Sequence, residues 1–492
     1  MRKREWTVPC LALEAETGAY HSMVDTASLF AKLKSTTTQP VIRNLMTRTR
    51  LPRESAVCER GLMSGLDPES LEDAGWGLLF AEDDPRTDEI LEALEPLWAK
   101  RAAEMGRPPI VFRGERGFRR TYRTASDFLE YHGVGHQAVD PSAGVPFYLL
   151  LIGGPESIPF PFHFDLQSQF AVGRLAFDSV DAYAHYADTV CTWDGVRSPH
   201  GLTTALFGPG HPGDRATWLS LRHLLEPLHD WLRHHREARR RRWHIRATLA
   251  EAALKKRLVD LLGGPDTPDL LFTVTHGVVY RPGHASQRAR QGSLVCADWP
   301  GREAWSRGLV PHQFFGAEDL LPGADFAGLI AFLVTCYGAG CPAWDHFAFD
   351  DPESTGARAL APKPFMARLP TALLGNGRSG ALAVVAHVER TWESSYYAPN
   401  IARNATDYFS VVWDLLNGKT VSSALSTVHA RQAVLAARLN RHLLEPDDRP
   451  ELAQRICAYW KAQDDARNTI VLGDPAVRLC RPERARPTSH NG

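Results

Sequence analysis

Apolar residues along the chain fall into two kinds of segment. Short unbroken runs at 76–80, 147–152, 204–207, 270–274, 329–334 and 381–385 have the length and composition of strands covered on both faces. Between them the apolar positions recur every three or four residues. Ile90, Leu91, Leu94, Leu97 and Trp98 form one such stripe, and Trp218, Leu219, Leu221, Leu224, Leu225 and Leu228 another. A third runs through Ala252, Leu254, Leu258 and Leu261, and residues 400–466 are mostly helical by pattern. Turn signals such as Asp83-Asp84-Pro85, Gly153-Gly154-Pro155 and Gly263-Gly264-Pro265 separate the two periods. The alternation predicts an α/β fold, a mostly parallel sheet flanked by helices.

Composition narrows the picture by exclusion. At 492 residues the chain is long enough for two or three packed units, and no repeat of solenoid length runs through it. Its 56 basic and 57 acidic residues nearly cancel, so the molecule as a whole offers no strong field to nucleic acid or membrane. Met1-Arg2-Lys3-Arg4 is basic, but the stretch from Glu5 to Glu16 lacks an unbroken apolar core, so no signal peptide is expected. No apolar stretch is long enough to span a bilayer. The eight cysteines are scattered without a framework. The expectation is a cytoplasmic chain with reduced thiols.

Two of the strand-like runs end in reactive side chains. Residues 270–275 lead into His276-Gly277, and residues 329–335 lead into Cys336-Tyr337-Gly338. Ligands of parallel sheets bind beyond the carboxyl ends of strands, so both side chains are expected on one rim. A cysteine hydrolase needs this pairing: imidazole takes the thiol proton and later protonates the leaving amine. A residue without a side chain after the histidine lets its N–H approach the substrate. The amides of Gly277 and Cys336 are therefore the expected oxyanion hole. No cofactor is required.

The strand–His-Gly and strand–Cys-x-Gly pair resembles the caspase-type cysteine peptidases, with further likeness to gingipains. Leu149-Leu150-Leu151-Ile152-Gly153 with Ser157-Ile158-Pro159 is similar to a gingipain segment, as is the strand Phe170-Ala171-Val172-Gly173-Arg174-Leu175. Residues 380–386 with Trp392, and Val471 to Leu479 including Leu472-Gly473-Asp474-Pro475, resemble later motifs of the same group. The resemblance covers roughly residues 75–480. It implies a caspase-like sandwich in two half-domains and a cysteine endopeptidase. By its bacterial defence relatives it further implies activation of a cell-death effector such as a gasdermin-like pore former. The sequence departs from the group in having Val334-Thr335 before Cys336 and a long Arg/Gly-rich insert from 281 to 307.

Asp165, eight residues before Gly173, matches the offset of the substrate-reading aspartate in the arginine-specific gingipains. The resemblance thus implies cleavage after Arg, with Lys second, because a pocket carboxylate pairs with either cation. Trp392 would add a cation–π wall, and Glu389 and Glu393 are alternative pocket acids. The densest charge feature, Arg239-Arg240-Arg241-Arg242, has three readings: a solvated helix face, a nucleic-acid patch, or a self-processing site. Cys336, Cys341 and His346 lack the second cysteine pair of a structural zinc site, so no metal is expected. The chain divides into an extension of unknown role (1–70), a first half-domain (71–198), a catalytic half-domain (199–480) and a loose tail (481–492). The partner expected is a protein or peptide substrate, with no membrane or nucleic acid. Rival readings are a catalytically silent caspase-fold scaffold and a nucleic-acid-binding sensor using Arg239–Arg242.

Overall fold

The computed structural model describes residues 7–21, 23–25, 61–135, 138–198, 201–345, 358–393, 396–397, 405–443, 450–479 and 481–482. Ten strands form the central sheet: β1 (Trp76–Phe80), β2 (Ile110–Phe112), β3 (Tyr148–Ile152), β4 (Ala171–Leu175), β5 (Thr203–Gly208), β6 (His244–Leu249), β7 (Leu270–Val274), β8 (Ile330–Val334), β9 (Ala383–His387) and β10 (Thr469–Gly473). Their spatial order is β6-β5-β7-β8-β9-β10-β4-β3-β1-β2. Every neighbouring pair is parallel except β9 and β10, which are antiparallel. The sheet is therefore two parallel blocks of opposite direction, joined at one antiparallel step. The expected α/β sandwich, with its mostly parallel sheet and flanking helices, is what the chain forms.

Continuous apolar runs make these strands because both faces are covered. In the first block, Leu79, Leu149, Leu151 and Val172 belong to one buried cluster, while their strand neighbours Leu78, Phe80, Leu150 and Ile152 belong to a second. Each fully buried aliphatic side chain there contributes about 1.5–3 kcal/mol. The helices follow the predicted stripes. Thr87–Ala93 and Glu95–Met105 carry the first, and Arg215–Ser220 with Glu226–His234, joined by a π-helical stretch, carry the second. The C-terminal third is helical over Ala405–Leu416, Ser426–Leu443 and Pro450–Asn468. Among the described residues no helix is long and apolar enough to cross a membrane.

A second, four-stranded sheet begins just past the carboxyl end of β7. It contains Phe314–Phe315, Leu294–Val295, Gly277–Val279 and Ala12–Glu14, in that order. The stretch between His276 and Cys336 thus supplies three of its strands. The N-terminal segment supplies an outer one, parallel to Gly277–Val279. At the other terminus Arg481–Pro482 pairs with Arg197–Ser198, and residues 483–492 lie outside the described residues.

Candidate active site

His276 and Cys336 are brought together by strand register. β7 and β8 are parallel neighbours with Val274 opposite Val334, so the residues two further on leave the sheet side by side. Both are fully buried. The approach is close: a Cβ on Gly277 would fall 2.1 Å from the Cys336 carbonyl oxygen, so only glycine fits. Beyond the cysteine, Tyr337 takes φ of +60°, a conformation bulky residues rarely adopt, and turns the chain back along β9.

The Gly277 and Cys336 amides converge on one acceptor, the carbonyl oxygen of Leu11, at 2.9 and 3.4 Å. Two N–H groups aimed at a single carbonyl have the geometry of an oxyanion hole. The Cys336 sulfur accepts from the Thr391 amide at 3.1 Å and lies 3.6 Å from the Thr391 carbonyl. Burial first, and then the adjacent Cys10, push its thiol well above the usual cysteine range.

Sequence reasoning did not find Asp214. Its Oδ2 is 2.5 Å from Nε2 of His276, and both groups are buried. An acceptor there holds the imidazole proton on Nε2 and leaves Nδ1 as the basic nitrogen. Nδ1 has no partner among the described residues. Asp214 caps the helix Arg215–Ser220 and accepts from the Ala216 amide (3.0 Å), the Thr217 hydroxyl (2.9 Å) and the Tyr20 hydroxyl (2.8 Å). Burial opposes its charged form, but His276 beside it outweighs this and holds the carboxyl well below the usual carboxylate range. The signal that could have found it was topological. Asp214 follows the loop after β5, a strand whose carboxyl end shares the rim of β7 and β8.

The specificity residues are placed less uniformly. Trp392 is fully buried, bridges Cys10 in antiparallel register, and already carries Lys461 over its ring at 5.6 Å. Glu389 is buried against Arg390 at 2.9 Å, and Glu393 lies 3.4 Å from Lys461. Both alternative pocket acids thus face cations of the chain itself. Asp165 is half-buried near the end of the helix Phe160–Leu166. That helix leads into the amino end of β4, and β4 runs opposite to β8 and β9. Asp165 therefore comes to the rim on which Cys336 emerges.

Arg239 and Arg240 lie in the short helix Arg236–Arg240, and Glu237 pairs with Arg240 and Arg241. Arg242 closes the turn into β6 at the sheet edge, with β5 and β7 between it and β8. The run is thus a mostly solvated helix end, which a peptidase would have to unwind before cutting. Among the described residues no His, Cys, Asp and Glu cluster could hold a metal, and His346 lies outside them.

No protein-family model matches the chain, and no curated protein is significantly similar to it. Solved structures are similar. A protease shares 14% identity at a TM-score of 0.50, over 83% of this chain and 79% of its own. The Arg-specific cysteine proteinase gingipain R shares 13% at 0.47, over 83% and 78%. The complex of RgpB pro- and mature domains from Porphyromonas gingivalis shares 13% at 0.43, over 82% and 79%. At such identities the likeness is one of fold, and the first of these carries it: the chain has the fold of a known protease, as its caspase-like motifs implied.

Proposed function

We propose that the protein is a cysteine endopeptidase with Cys336 as nucleophile and His276 as acid and base. The convergence of two amides, Gly277 and Cys336, on one carbonyl oxygen beside that pair carries the reading. In the reaction Nδ1 of His276 takes the thiol proton, and the sulfur attacks the carbonyl carbon of the peptide. The two amides hold the resulting oxyanion. The imidazolium then protonates the leaving amine, and water hydrolyses the thioester by the same route in reverse. Asp214 fixes the imidazole tautomer and faces its charge when it is protonated.

Cleavage after Arg, with Lys second, is the specificity proposed, resting on the place of Asp165 at this rim and on its gingipain-like offset. Arg239–Arg242 is the matching candidate for self-processing in trans. Activation of a gasdermin-like effector in antiphage defence is the finer reading, carried by the resemblance alone. The scaffold reading has no use for Asp214, buried at some cost to face His276.

The test is hydrolysis of fluorogenic peptides bearing Arg, Lys, Leu, Asp or Asn before the scissile bond. It is run on the full chain and on a version starting at Ala12, which frees the carbonyl cradle. Cleavage after Arg that disappears in Cys336→Ala and His276→Ala is expected. Cleavage only after Asp or Asn would discard Asp165, and no thiol-dependent cleavage by either version would discard the peptidase.

A further inference from the structure

The carbonyl in the cradle belongs to the chain's own N-terminal segment, and that segment lies there as a substrate would. Leu11 N–H donates to the Thr391 carbonyl at 3.1 Å, and Cys10 bridges Trp392 in antiparallel register. An extended strand that adds to an edge and offers a carbonyl to two amides places Leu11 where the residue before a scissile bond belongs. The other side of the cleft is filled as well, by Ala12–Glu14 running along Gly277–Val279.

Further anchors lie on that side. Ala15 N–H donates to the Val279 carbonyl and Leu309 N–H to the Ala15 carbonyl, each at 2.8 Å. The Tyr20 hydroxyl reaches Asp214, and the Tyr337 hydroxyl lies 3.3 Å from Nε2 of His21. Under this cover Cys336 and His276 have no exposed surface, and the thiol is paired with the Thr391 main chain while Nδ1 of His276 has no partner among the described residues.

We propose that residues 10–21 are a built-in inhibitor, held across the cleft in the substrate direction, which keeps the enzyme latent until the part up to Leu11 leaves. The inference rests on the catalytic reading of Cys336 and His276. A tethered segment acts at about 1 mM effective concentration, so an intrinsic affinity of about 10 µM would leave about one chain in a hundred open. Leaving needs no loss of fold on the far side, because Ala12–Glu14 is held by its own pairing with Gly277–Val279.

The experiment measures the rate at which iodoacetamide alkylates Cys336, followed by peptide mapping, alongside peptide hydrolysis. Three proteins are compared: the full chain, the chain starting at Ala12, and full-length Leu11→Glu, which puts a charge where Leu11 is buried. Both variants are expected to alkylate Cys336 about a hundredfold faster than the full chain, with hydrolysis rising in parallel. A synthetic peptide of residues 7–11, the part the shortened chain lacks, should slow both reactions again in the chain starting at Ala12. Equal alkylation rates in all three proteins would overturn the inference even if all three cleave peptides. Faster alkylation without hydrolysis would uphold the segment as a cover and sink the peptidase. The exposed Cys191 supplies a reference within the full chain that does not depend on either variant folding. If Cys336 reacts there as fast as Cys191, the segment is no inhibitor.

Discussion

Two residues test the centre most directly. Gly277→Ala puts a methyl group 2.1 Å from the Cys336 carbonyl oxygen, so the backbone must move and one amide leaves the cradle. In the chain starting at Ala12, kcat is expected to fall about 10²–10³-fold; an unchanged kcat would rule out this amide as an oxyanion donor. Asp214→Asn keeps the shape of the cap and removes the charge facing His276, with an expected loss of about 10²–10⁴ in kcat and little change in KM. It also changes the acid side of the stability profile. A carboxylate held below its unfolded value adds stability that is present above about pH 4 and is lost as pH falls toward the lower folded value. Urea midpoints of the Asn variant should therefore fall less steeply below about pH 4 than those of the parent. The meeting of His276 and Cys336 was legible because each follows an apolar run and glycine comes close behind. Asp214 was not, since locally it is an ordinary helix cap after a glycine-rich loop.

At the scale of elements, the strands covered on both faces declared themselves by unbroken apolar runs, and β1 and β7 were bounded to the residue. β6 was hidden because, as an edge strand, it carries His244 and Arg246 at half-buried or exposed positions and shows no clean run. The N-terminal segment was hidden for another reason. Its strands are three residues long, too short for any period, and Leu11 and Leu13 are buried by partners far along the chain, such as Gly277, Val278 and Thr391. Its chemistry yields a sharp expectation. If Asp165 lines the pocket as proposed, Leu11 does not suit it and the segment would be held without being cut. Leu11→Arg should turn it into a substrate, giving a new N-terminus at Ala12 by mass spectrometry, and Cys336→Ala should abolish that product. An uncut Leu11→Arg chain would count against Asp165 as the pocket acid.

On the scale of the whole molecule, the direction reversal between β9 and β10 could not be read from the sequence, where both strands are the same kind of apolar run. The motif at 471–479 marked the place without its role. Just past β10, Asp474 joins the two halves. It accepts from the Trp76 indole at 2.9 Å and faces the buried Arg101 at 2.7 Å, while Arg101 also meets Asp194 at 2.8 Å. Removing one partner of such a buried set leaves charge uncompensated, so Asp474→Ala is expected to cost about 3–5 kcal/mol in denaturant unfolding. A cost under about 1 kcal/mol would show the seam to be held by packing alone.

That seam also sets an order of events during synthesis. β10 is the last of the ten strands to leave the ribosome, yet it lies in the middle of the sheet, between β9 and β4. Until it emerges, the two parallel blocks have no strand in common and each presents an open edge where β10 will insert. A growing chain therefore passes through a long interval with two exposed edges, the condition under which chaperones are recruited and neighbouring chains mispair. Cys336 and His276, just past the ends of β8 and β7, are translated well before the sheet that steadies them is closed.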